Sequence, residues 1–141
     1  MKGRLPLTVA ALWWGSLTTI FWVVPMLFAH LPSPALAGGM AARLFSAQTW
    51  ITMACCMLLL MASRPRQDPR MADWARPVLG FVLGGMLLAL LGEFAVSPRI
   101  VARENLKLWH SLGSGMLLLQ WACAGLTFWK LARPAPAQQG D

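Results

Sequence analysis

A chain of 141 residues that is 57% hydrophobic and only 12% charged carries about half the charged share of a soluble globular domain. That balance argues against a soluble fold, and the length leaves no room for a separate catalytic domain beside a membrane-spanning one. The net charge of +7 is compatible with nucleic acid, but the basic residues cluster by loop, as topology signals do.

Lys2 and Arg4 open the chain, and an uncharged apolar run over 5–29 follows, long enough to cross a bilayer as a helix. With Ala35-Leu36-Ala37 downstream, this also has the layout of a secretory signal. The run exceeds the signal core of about 7–15 residues and matches the later apolar stretches in length, so a retained first helix is the better reading. Pro25 predicts a kink in it. Leu31-Pro32-Ser33-Pro34 predicts its end, a stiff turn, and Gly38-Gly39 the start of a second helix over 39–62. Ser63-Arg64-Pro65 closes that helix. The loop that follows holds Arg64, Arg66, Arg70 and Arg76. A third helix is predicted over 77–96, ended by Ser97-Pro98, and a fourth over 108–131. The polar, Pro-rich stretch 133–141 predicts a disordered cytoplasmic tail.

The fold class predicted is all-α: a four-helix transmembrane bundle forming a single integral membrane domain. Eight basic residues fall at the termini and middle loop, and four (Arg43, Arg99, Arg103 and Lys107) on the other side. The positive-inside rule then puts both termini in the cytoplasm and the protein in the inner, cytoplasmic membrane. The lipid bilayer is the expected partner and nucleic acid is not. Trp74, Trp109 and Trp129 lie near helix ends, where indoles favour the headgroup zone. Gly80 with Gly84, extended by Gly85 and Ala89, and Ser111 with Gly115, have the spacing of helix–helix contacts, within the bundle or in a homo-oligomer. Cys55, Cys56 and Cys123 show no metal-type spacing and read as small buried residues.

Polar groups inside the spans are the sharpest functional signal, because a charge at the bilayer centre costs about 2.5–3.5 kcal/mol on the lenient scale. His30, Arg43, Gln48, Glu93, Lys107, His110, Ser111 and Ser114 all fall in the half of the bundle away from the termini. Three readings are open for this putative polar site. Glu93 pairs with Arg43 or Lys107 and simply holds helices together. Alternatively, His30 and His110 ligate a transition metal or haem, as imidazole commonly does, in a redox membrane protein. Or the cluster lines a polar cavity for a small solute or proton, with Glu93 as the titrating group. No G-x-S-x-G occurs and no carboxylate completes a triad with Ser111 and His110, so an enzyme is not expected.

Trp14-Gly15-Ser16 with Pro25-Met26-Leu27-Phe28, then Gly38-Gly39, Arg43-Leu44-Phe45 and Trp50, resemble the transmembrane-protein-205-like family, catalogued as domain of unknown function 4149, in a bacterial-type member. Trp109-His110-Ser111-Leu112-Gly113-Ser114 looks like that family's last-helix signature, although Ser111 stands where glycine usually follows the histidine. The resemblance implies four transmembrane helices and an integral membrane protein, and no established reaction. Its layout is similar to small copper-resistance and haem-associated membrane families, an analogy of architecture only. Small-solute or metal handling through the polar site is the function these readings predict.

Overall fold

A computed structural model describes residues 4–64 and 72–133. These form four helices joined by short connections: α1 spans Arg4–His30, α2 Pro34–Ala62, α3 Arg76–Val101 and α4 Leu106–Ala132. Each is long and apolar enough to cross a membrane, and a helix satisfies its own backbone hydrogen bonds where lipid offers none. Large apolar side chains lie on the outside, with Trp22 73% and Phe94 66% exposed. Such a surface is a liability in water and carries no penalty against acyl chains. The protein is a multi-pass membrane protein built as a four-helix bundle.

Two helices extend past the boundaries that their Pro and Gly residues predict. The second starts at Pro34 instead of 39, because Ser33 Oγ caps it by accepting the Leu36 N–H at 3.2 Å. Pro34 then fills the first helical position, where no N–H is required. The third does not stop at Ser97-Pro98. Gly92–Val96 widens into a π turn in which the Ser97 N–H bonds the Gly92 carbonyl, and the helix continues to Val101. Pro98 accounts for this: its ring would strike the Phe94 carbonyl in an ordinary α turn and it offers no N–H. A wider turn admits the ring at the cost of one inserted residue. Beyond Val101 the Arg103 N–H bonds Ile100 O and the Glu104 N–H bonds Arg99 O, both at 3.1 Å. Arg103 sits at φ 57°, the left-handed position of a Schellman cap that glycine usually occupies. Arg66, Arg70 and nearly all of the predicted tail lie outside the described residues.

The helices pack in ring order, α1 on α2, α2 on α3, α3 on α4 and α4 back on α1. The half holding Arg4, Ala62, Arg76 and Ala132 is called the near half, and the half holding His30, Pro34, Val101 and Leu106 the far half. The apolar core fills the near half: Val9, Trp13, Leu17, Cys55, Cys56, Leu59, Val82 and Ala124. Trp13 is completely buried and reaches diagonally from α1 to α3, where a Cβ on Gly85 would stand 2.5 Å from its ring. Gly125 admits Trp14 in the same manner, with the indole nitrogen 2.9 Å from a Cβ position. Of the glycines predicted as helix contacts, Gly85 is thus a close approach and the others are not. Positions for a Cβ on Gly80 and Gly115 meet nothing within 4 Å, and that on Gly84 only touches Cys123 at 4.0 Å.

Aromatic rings seal the seam between α1 and α4. Trp14 stacks on Phe128 with centroids 5.6 Å apart, Phe21 meets Trp121 edge-on, and Trp121 Nε1 donates to Thr18 Oγ1 at 2.9 Å. Of the three predicted interfacial tryptophans, Trp109 lies beneath the Arg99 guanidinium at 4.5 Å and Trp129 beneath Arg133 at 3.6 Å. Trp74 instead packs against the core.

Candidate functional site

The far half is not filled. Between all four helices lies a cavity of about 340 Å³, at the small end of ligand pockets. Its walls are mostly apolar, including Val24 and Phe28 from α1, Phe45 from α2, Val96 from α3 and Leu117 from α4. Packing explains why the two halves differ. In the near half Trp13 spans the bundle, whereas the far half presents Ala41, Ala42, Ala89, Gly92 and Gly113 toward the interior. No side chain of comparable size reaches across, so a void remains.

Its floor is polar. Gln48 and Gln120, both buried, face the cavity from near the midpoints of α2 and α4. Gln120 Nε2 donates to Thr52 Oγ1 at 2.9 Å, and Gln48 Nε2 donates to Thr52 at 3.4 Å and to Ser16 Oγ at 3.0 Å. The Ser16 hydroxyl in turn donates a hydrogen bond to the Trp13 carbonyl at 2.9 Å. This chain ties α1, α2 and α4 together across the bundle's second diagonal. It divides the packed near half from the hollow far half.

Glu93 lies on the cavity wall at the start of the π turn. Ser46 of α2 donates its hydroxyl to both carboxylate oxygens, at 2.8 and 3.0 Å. The ion pair with Arg43 or Lys107 that the sequence permits does not form: both of those residues are exposed, and the recorded partner of Glu93 is a neutral hydroxyl. The polarity of this neighbourhood is therefore that of a single carboxylate among amides, hydroxyls and an imidazole.

Of the residues singled out from the sequence, Gln48, Glu93, His110 and Ser114 converge on the cavity. His30, Arg43, Lys107 and Ser111 are exposed and form no part of its walls. His30 Nδ1 donates to the Met26 carbonyl at 3.0 Å, capping its own helix. The two histidines thus do not share a wall, and among the described residues no group of three or more His, Cys, Asp or Glu stands where it could hold a metal ion. This donor set does not fit a resident metal or a haem ligated by both imidazoles.

Several site residues are not evident from the sequence. Gln120 carries a signal, since a lone amide inside the apolar stretch 116–124 must find a partner. Thr52 lies one turn from Gln48 and so on the same helix face. Ser46 carries none, because its role depends on the register between α2 and α3.

No curated protein and no solved structure matches the chain. A family model described as Domain of unknown function (DUF4149) matches residues 8–107, which takes in α1, α2, α3 and their connections and stops short of His110. Since that segment is well over half of the chain, the protein belongs to the DUF4149 family of integral membrane proteins.

Proposed function

We propose that this protein binds a small, largely apolar solute in the far-half cavity, and that solute handling across or within the membrane is its role. The observation that carries this reading is the cavity itself, a partly open space with mostly apolar walls, a hydrogen-bonded amide floor and a carboxylate. Few apolar pockets with convergent polar groups occur per protein, and they are where ligands bind. A metal-handling role has less support, because among the described residues the walls bring together just one imidazole and one carboxylate, His110 and Glu93.

The test is a fluorine NMR titration of hexafluorobenzene into the full chain in lipid nanodiscs. Saturable binding is expected, and Ala41→Phe, which fills the cavity from a buried wall position, should weaken it about tenfold or more. Purely linear partitioning into lipid, or binding indifferent to Ala41→Phe, would refute the reading.

Orientation belongs to the same proposal. The excess of arginine and lysine at the termini and middle loop supports a near half on the cytoplasmic side and a cavity in the outer half of the inner membrane. A reporter fused after Asp141 should be active only in its cytoplasmic form; periplasmic activity would reverse the assignment. The first-helix and Arg43-Leu44-Phe45 motifs further support a bacterial-type member of the transmembrane-protein-205-like group. The small-residue face left open at Gly80 and Gly84 would suit a homo-oligomer.

A further inference from the structure

Resting on the cavity reading above, we infer that the solute is a small organic monocation with an apolar body, such as a protonated amine or a quaternary ammonium, and that Glu93 is its counter-charge. The argument starts from the charge inventory around the cavity. Glu93 is the one carboxylate on its walls, and its described partner is the Ser46 hydroxyl, which satisfies hydrogen-bonding capacity but neutralises nothing. Glu93 is half-buried among mostly apolar walls, and a positive charge beside such a carboxylate is favoured over a neutral neighbour.

Among the described residues no hydrogen bond or ion pair joins Glu93 to a basic side chain, His110 on the same walls included. Arg43 and Lys107 are exposed and stand outside the cavity walls. Arg99 is committed elsewhere: it donates to the Ala95 carbonyl at 3.1 Å and covers the Trp109 ring at 4.5 Å. The missing countercharge therefore has its natural place inside the cavity.

The rest of the site suits an organic cation better than an inorganic one. An alkali or divalent ion wants several oxygen ligands, whereas beyond Glu93 the walls are chiefly aliphatic and aromatic. Phe28 and Phe45 both line the space, and aromatic faces attract ammonium groups through their quadrupole. The amide floor and Ser114 offer only neutral dipoles. A cavity of about 340 Å³ holds a compact ammonium with one ring or a short chain, and excludes a whole lipid.

The experiment compares benzyltrimethylammonium with neopentylbenzene, its neutral isostere in which carbon replaces nitrogen, by equilibrium binding to the full chain in uncharged-lipid nanodiscs. The permanent charge removes any ambiguity about ligand protonation. Wild type should bind the cation about tenfold tighter than the isostere, and Glu93→Gln should abolish that ratio. Equal or tighter binding of the isostere by wild type overturns the cation assignment and leaves the cavity reading standing. If neither ligand binds saturably, both readings fall. A cation preference that survives in Glu93→Gln shows that another group sets it and removes Glu93 from the role. The wild-type comparison is decisive without the variant, so poor folding of Glu93→Gln would not shield the proposal.

Discussion

Replacing Gly85 by Ala is expected to destabilise the bundle by about 2 kcal/mol. Overpacking a filled core costs about 1–3 kcal/mol, and the upper end applies because the new Cβ would stand 2.5 and 2.6 Å from two carbons of the Trp13 ring. That ring has little room to retreat, being wholly buried and packed in one cluster with Val9, Leu17 and Cys56. Alanine's superior helix propensity offsets at most about 1 kcal/mol of the loss. The clash is specific to the benzenoid edge of the indole, so Trp13→Phe combined with Gly85→Ala should recover most of the stability. Phenylalanine also removes the Trp13 Nε1 donor, which is buried without a partner among the described residues and therefore costs nothing to lose. Unfolding by SDS titration, followed by circular dichroism, measures both variants. Additive losses in the double variant would show that the two side chains are not in steric contact.

Thr52→Val should cost about 1–2 kcal/mol although it preserves side-chain shape. The hydroxyl oxygen accepts from Gln120 at 2.9 Å and from Gln48 at 3.4 Å. Valine leaves the buried Gln120 amide without its Thr52 partner. Single hydrogen bonds inside membrane proteins average about 0.6 kcal/mol with a maximum near 1.7, and two weakened donors place this site toward the upper value. Removing the donor as well reverses the sign of the coupling: Thr52→Val with Gln120→Leu should be less destabilised than the sum of the single variants, because no buried amide is left unpaired. The cross-diagonal tie would still be gone, so this double variant should also bind the cavity probe more weakly. A Thr52→Val protein as stable as wild type would mean that the polar floor carries no structural role.

These two positions show why the site was only partly legible beforehand. Gln48, Glu93, His110 and Ser114 stand out in the sequence because polar groups are scarce in apolar spans, and scarcity needs no knowledge of packing. The same rule also selects His30, Arg43, Lys107 and Ser111, which lie off the cavity walls, since hydropathy gives depth along a helix but not the direction a side chain faces. Gly85 belongs to the predicted small-residue run of Gly80, Gly84, Gly85 and Ala89, and of its glycines it is the one pressed against a neighbour. A spacing motif identifies a small-residue face, and only the neighbour across it decides which glycine is pressed.

The chain's composition and charge pattern determined the class of molecule. Four apolar runs of bilayer length dictate four helices, because hydrocarbon forces every backbone group to bond internally, and no long-range information is required for that. The tertiary structure decided the rest. Ring-order packing sets Trp13 against Gly85, so one half closes. The π turn that accommodates Pro98 carries Glu93 to Ser46 rather than to a basic residue, and small residues opposite one another leave the other half hollow. Those outcomes depend on helix register and rotation, which arise from side chains distant in sequence meeting across the bundle.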